Sequence, residues 1–337
     1  MKYLKVPQNN ADPNEPEGYT ALREGAAVVD RSERRILRLA GRDPIGMLNA
    51  IVTNEVPAEA DRGTYAMLLN PKGRIQTDLR VVRAGDEILI DTEPEGAEAA
   101  KEILGRYAPF SRVKLEDLSG SWSVLGLYGP QARELLGCFE LAEHQSREIE
   151  IEGRALLSVG VAVPVPGYDL IGPAQVIAAA REHVIGAGGA APAGRDAFET
   201  ARIEAGNPRF GTDITPDNFP GESEGSLERA VSFGKGCYPG QETVARMHYR
   251  GSPNKMLYLF ELEPDETKPP GAGAEILQGE NGMGRPATPV DVVGRLTSVA
   301  PFPVDGRFHA LGYLSRKADP EAPTRTEDAQ VLALTRA

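Results

Sequence analysis

Apolar residues return at helical spacing just after Asp43-Pro44, where Ile45, Leu48, Ile51 and Val52 share one face. Asp43 suits the cap of that helix and Pro44 its first position. The pattern then changes to strand. Thr64 to Leu69 and Arg74 to Val82 form two runs joined by Asn70-Pro71-Lys72-Gly73, which puts Asn, Pro and Gly where a type I turn prefers them. The Ala84-Gly85-Asp86 turn opens a third strand, Ile88 to Asp91, followed by a helix from Pro94 to Tyr107 and a strand around Val113 to Leu115. A comparable mixture begins at Trp122. It comprises a strand to Tyr128, a helix after Gly129-Pro130, strands between Arg147 and Val163, and a helix from Pro173 to Val184. Gly186 to Gly194 reads as a loop, because its Gly-x-Gly-Gly follows a helical pattern whereas a dinucleotide-binding turn follows a strand. Beyond Lys255 the runs shorten to Met256–Leu262, Val292–Val299, Phe308–Leu314 and Val331–Leu334, separated by Pro and Gly, the texture of a small barrel. The expectation is an α+β protein: one α+β domain over residues 20–120, a related and partly interleaved one over 121–250, and a C-terminal β-barrel over 255–337.

Charge narrows the possible partners. With 37 Lys and Arg against 49 Asp and Glu, the 337-residue chain has a formal charge of −12. It lacks the overall basic footprint that a phosphate backbone or anionic membrane attracts, so direct nucleic-acid or membrane binding is not expected. Cys138 and Cys237 lie far apart, and neither has a His or second Cys spaced for zinc. No metal is expected, and a reducing, cytoplasmic setting follows. The opening residues lack the apolar stretch of a signal peptide and read as a loose leader. The longest uncharged run, Ala155 to Tyr168, is broken by Gly and Pro and too short to span a bilayer.

Two stretches could carry chemistry. In Glu199-Thr-Ala-Arg202-Ile-Glu204-Ala-Gly206-Asn-Pro208, Gly206 fits a left-handed helix stop, which puts Glu204 in the last turn. A carboxylate there can accept paired hydrogen bonds from a flat donor edge, or it can be a solvated charge paired with Arg202 or Arg209. In Lys235-Gly-Cys237-Tyr238-Pro-Gly-Gln-Glu242, Pro239-Gly240 marks a turn and Gln241 a helix start. Cys237 is then just ahead of a helix N-terminus with Lys235 close in sequence, an arrangement that favours thiolate; the alternative is a buried, inert Cys. Cys138 has no such surroundings and reads as structural. His144, His183, His248 and His309 are scattered and read as surface or packing residues, and neither a nucleophile elbow nor a phosphate-binding loop is present.

These two stretches resemble the signature region of the folate-binding YgfZ proteins, relatives of the glycine-cleavage T-protein, an aminomethyltransferase. The octapeptide KGCYPGQE is the specific part, and looser similarity runs from Val29 to the C-terminal β region. The resemblance implies two T-protein-like α+β domains in a ring with a C-terminal barrel, around a folate-binding hole. It implies tetrahydrofolate as cofactor and a role in building or maintaining iron–sulfur enzymes, including those that thiomethylate tRNA, with iron–sulfur client or assembly proteins as partners. It puts Glu204 and Arg246 at the folate, with Arg202, Tyr238 and Lys235 in the same group, and makes Cys237 the cysteine on which the accessory function depends. Aminomethyltransferases usually carry two consecutive Asp residues on the strand after the first turn, one of them at the reactive folate nitrogen. Here the pair reads Thr77-Asp78. One carboxylate remains, and folate-dependent aminomethyl or other one-carbon transfer through Asp78 is the alternative function.

Overall fold

Asp43 caps helix Pro44–Asn49 as expected: its carboxylate accepts from the Gly46 amide at 2.8 Å, and Pro44 fills the first position, where no amide is needed. The computed structural model describes residues 15–137, 139–186, 189–264, 270–278, 291–319, 322 and 324–337. Cys138 lies outside them, as does part of the predicted loop 186–194.

The first sheet has the order Thr64–Leu69, Ile75–Ala84, Glu87–Thr92, Arg35–Gly41, Val113–Asp117. Asn70 and Gly73 close its leading hairpin, with the Gly73 amide donating to the Asn70 carbonyl at 2.9 Å. Successive side chains of a strand point to opposite faces, and this alternation sorts Ile75–Ala84. Leu79 and Val81 join a core with Leu37, Ile88, Ile90 and the helical residues Ala100 and Leu104, while Asp78 and Arg80 face the other way. Thr77 is on the helical side, where a Cβ added at Gly96 would meet its hydroxyl at 1.9 Å. Gly96 is therefore required for the close approach.

The second sheet has the order Ala191–Ala193, Ala27–Asp30, Trp122–Tyr128, Gly167–Pro173, Arg154–Val161, Ser146–Ile151. Helix Ala174–Gly186 covers one face through Ile177, Ala180 and Val184. The other face meets the first sheet, where Ile36, Val82 and Leu89 pack on Val124, Val159 and Ile171. Three residues of the stretch read as loop, Ala191–Ala193, are in fact a strand parallel to Ala27–Val29. The misreading has a physical cause: this strand is held by backbone pairing and shows no alternation of large apolar and polar side chains.

The two halves exchange segments. Ala27–Asp30, near the N-terminal end, lies inside the second sheet, while Phe210, Ile214, Ala230, Val231, Tyr238 and Val244 pack on Met67, Leu69 and Ile75 of the first. The C-terminal strands close a six-stranded barrel in the order Lys255–Pro264, Phe308–Ser315, Asp291–Val299, Glu275–Gln278, Thr324–Arg325, Ala329–Arg336. Buried Arg202 of helix Arg195–Glu204 donates to Asp213 at 2.8 Å and to the Ser298 hydroxyl at 3.0 Å, and Asp213 in turn accepts from Thr297 and Ser298, both at 2.6 Å. Burial alone disfavours the Arg202 charge, but Asp213 and Glu199 reverse that and raise its pKa. This group bolts the second domain to the barrel.

Candidate functional site

Between the two sheets is a cavity of about 590 Å³, within the range of small-molecule sites. Its walls come from the cavity-facing residues of Ile75–Ala84, from Asp30 to Arg34, and from helix Arg195–Glu204 with the segment just after it. Seven arginines and eight carboxylates line it, so its charges nearly cancel and selectivity rests on local pairing and not on net charge. Much of the pairing is internal. Arg80 donates to Asp91 and Asp169 at 2.5 Å each, Arg34 engages Asp91 and Glu93, and the Tyr128 hydroxyl donates to Asp169 at 2.5 Å. Burial raises the pKa of Asp91, but Arg34 and Arg80 outweigh it and hold the carboxyl below its usual range. Arg80 with Asp169 joins the two sheets beside the cavity. The rings of Tyr128 and Phe198 stack at 5.4 Å, and the Arg31 guanidinium lies 4.7 Å over Phe198, so a flat apolar wall stands beside the charges.

Asp78 stands apart from the arginine lattice. It accepts from the Tyr65 hydroxyl at 2.7 Å, and burial pushes its pKa up to about 6 even though that hydrogen bond pulls it down. A carboxyl poised there can exchange a proton near neutral pH, which makes it the cavity's strongest general acid–base candidate. Of the Thr77-Asp78 pair, the member facing the cavity is the carboxylate; Thr77 is fully buried and donates to the Asp78 carbonyl at 2.8 Å. The substitution in the motif therefore falls on the side away from the cavity. His144, read from sequence as a surface or packing residue, also lines the cavity, and burial followed by Arg80 lowers its pKa to about 4, leaving a neutral imidazole.

Of the residues expected at a folate, the cavity wall includes Asp78 and Arg202. Glu204 is not on that wall. It is held by Arg23 and accepts from the Tyr19 hydroxyl at 2.8 Å, on the flank of the helix facing the N-terminal segment. The carboxylate that the helix does present to the cavity is Glu199, which accepts from Arg209 at 2.8 Å and pairs with Arg202 at 3.2 Å. Helical phase could have revealed this: Glu199 and Arg202 are three residues apart and share a face, whereas Glu204, five residues on, points elsewhere. Lys235, Cys237, Tyr238 and Arg246 are absent from the wall as well. Tyr238 is buried in the core beneath the first hairpin, and burial lifts its pKa to about 12. The Lys235 ammonium donates to the carbonyls of Asn49 (2.9 Å) and Val52 (2.6 Å), at the end of helix Pro44–Asn49, and burial pulls its pKa down to about 8. Cys237 is an exposed free thiol and Arg246 is exposed on helix Gln241–Arg250. The octapeptide thus forms a surface separate from the cavity. Among the described residues no cluster of His, Cys, Asp and Glu could hold a metal ion, and no helix is long and apolar enough to cross a membrane.

Two sheets thus face one another across a charged cavity, with a barrel bolted behind. The chain belongs to the GCVT N-terminal domain family, which matches residues 3–235. It is similar to the tRNA-modifying protein YgfZ of Pectobacterium carotovorum, 28% identical over 75% of this chain and 76% of that protein. It is also similar to an aminomethyltransferase of Saccharopolyspora erythraea, 24% identical over 88% and 81% of the two chains. The fold matches the crystal structure of the glycine cleavage system aminomethyltransferase T from Bartonella henselae with a TM-score of 0.74 at 22% identity, covering 94% of this chain and 86% of that one.

Proposed function

We propose that this protein binds a reduced folate, tetrahydrofolate, in the cavity between its two sheets and serves iron–sulfur enzymes as an accessory protein through Cys237. The observation that carries the folate reading is the pairing of carboxylates with a flat wall: Glu199 and Asp78 offer acceptors to the donor edge and ring nitrogens of a pterin, and Tyr128 with Phe198 offers a face for its ring. Both oxygens of Glu199 are engaged by Arg202 and Arg209, so a pterin donor edge would share or displace one of the longer Arg202 contacts. Cys237 supports the accessory reading by being exposed and away from the cavity, so that a partner can reach the thiol while the folate stays bound.

A second reading has its own observation. Asp78 faces the cavity with its pKa raised to about 6, the feature that folate-dependent one-carbon transfer requires of a proton-handling group. Tetrahydrofolate titrations separate the residues. Glu199→Ala should weaken binding by about 1.5–3 kcal/mol, the scale of a charged hydrogen bond, while Glu204→Ala leaves it near wild type. The reverse pattern would put the pterin edge at Glu204. Cys237→Ala should abolish support of an iron–sulfur client without changing folate affinity. Aminomethyl turnover that vanishes in Asp78→Asn would make the transferase reading the better one.

A further inference from the structure

The loop from Phe233 to Gly240 runs back along helix Gln241–Arg250, because Phe233 touches the helix's last turn while Gly240 precedes its first. Cys237, exposed, is in this loop, four residues after Phe233 and four before the helix's first residue. That group is unusual for a soluble surface. Phe233 stacks on His248 at 4.1 Å, and Tyr249 sets its edge against both, yet Phe233 is 38% and Tyr249 68% exposed. The rings pack on one another in water and leave their outer faces uncovered. Arg246 and Arg250, one helical turn apart, are exposed and have no ion-pair partner among the described residues. Residues 231–252 hold three cations and one acid, a reversal of sign in a chain of −12. Alongside the helix a groove of about 460 Å³ includes Leu227, Met247, Met256 and Leu314 in its lining.

Exposed aromatics, two free guanidinia and an adjoining Met-lined groove are the composition of a protein-binding hot spot. We propose that the outward face of helix Gln241–Arg250, with Phe233, docks an acidic protein partner and so brings it over Cys237. Two free arginines match a patch of two or three carboxylates by paired hydrogen bonds. They are too few to track a nucleic-acid backbone, which needs a run of cations to displace counterions, and the rest of the chain repels such an extended polyanion. The inference builds on the accessory reading of Cys237 and names the chemistry of the surface that the partner must present.

The test is to pan a randomised peptide display library on the full-length protein and measure the enriched peptides by fluorescence anisotropy. Peptides with an excess of Asp and Glu and at least one apolar anchor are expected. Their affinity should fall about tenfold or more in Arg246→Glu/Arg250→Glu and in Tyr249→Ser, and should fall as salt is raised. Saturating peptide should also slow alkylation of Cys237. Enrichment without an acidic bias, unchanged binding by variants shown to be folded by circular dichroism, or tighter binding of oligouridylate than of any peptide overturns the proposal. Peptide binding that persists in Cys237→Ala together with full client support by that variant supports the docking surface and sinks the accessory reading, so the two failures are separable.

Discussion

A carboxyl whose pKa is raised by folding imposes a cost that depends on pH. Asp78 titrates at about 6 in the native protein against an ordinary value of 3.8, so between those limits the folded chain holds a proton that the unfolded chain has released. Stability therefore falls as pH rises from about 4 to 6, and the full penalty persists above. Asp78→Asn should be more stable than wild type at pH 7.5 by about 1–3 kcal/mol, with the difference vanishing near pH 4 in urea unfolding. A constant difference at both pH values would show that Asp78 is not held in this state. Tyr65→Phe removes the hydrogen bond that pulls Asp78 down, so the carboxyl resonance of Asp78 should titrate higher still in a carbon-13 NMR pH series. At this scale the sequence was readable where a residue's role is local. Asp43 could be picked out by its place before a helix, and Asp78 through the resemblance that singles out the Thr77-Asp78 pair. His144 could not, because its role comes from two sheets meeting across many residues of sequence; for Glu199 the signal available was the helical phase it shares with Arg202, which sets it apart from Glu204.

The hairpin that carries Asp78 is fastened at its tip. Gly73 in the turn and Gly240 in the octapeptide both have φ of 82°, and a Cβ on Gly240 would lie 2.6 Å from the Asn70 carbonyl and 2.8 Å from the Gly73 Cα. Backbone meets backbone there, and nothing flexible can yield. Tyr238 seals the contact from beneath by packing with Leu69 and Ile75. Gly240→Ala should cost about 1–3 kcal/mol from the left-handed backbone alone, with the clash adding to it, and chemical denaturation checks this. Wild-type stability for Gly240→Ala would mean that the turn is not held against the octapeptide. Elements with a clear period or turn signature, such as Thr64–Leu69 and Trp122–Tyr128, can be read from the sequence to the residue. The meaning of KGCYPGQE is less accessible. The resemblance groups its Lys and Tyr with the folate-binding residues, and the fold uses them to close a helix end and fill a core.

Across the whole molecule, a buried charge pair of the α+β portion, Arg202 with Asp213, joins it to the barrel by hydrogen bonds to Thr297 and Ser298. Asp213 is 1% and Arg202 3% exposed, and removing Asp213 leaves the buried Arg202 only Glu199, a carboxylate it shares with Arg209, and takes the acceptor from Thr297 and Ser298. Asp213→Ala should destabilise by about 3–5 kcal/mol, and limited proteolysis should then release the barrel before the rest unfolds. Loss of stability below about 1 kcal/mol would indicate that the junction is wet. The barrel could be anticipated because its short strands and Pro–Gly spacers are local signals. The exchange of segments between the two sheets could not, since the composition of Ala27–Asp30 says nothing about which sheet takes it.

That small strand also governs the order in which the molecule can assemble. Ala27–Asp30 leaves the ribosome early, yet one neighbour, Trp122–Tyr128, follows about a hundred residues later and the other, Ala191–Ala193, about seventy after that. Until the first of these has been made, Ala27, Val28 and Val29, all buried in the finished protein, have no edge to join, and until the second they are covered on one side alone. Closing loops of this length before any contact compensates the lost chain entropy makes folding slow, and the second sheet becomes the late step. The first sheet, whose five strands all lie between Arg35 and Asp117, can form while the chain is still being synthesised and wait, hairpin outward, for the rest.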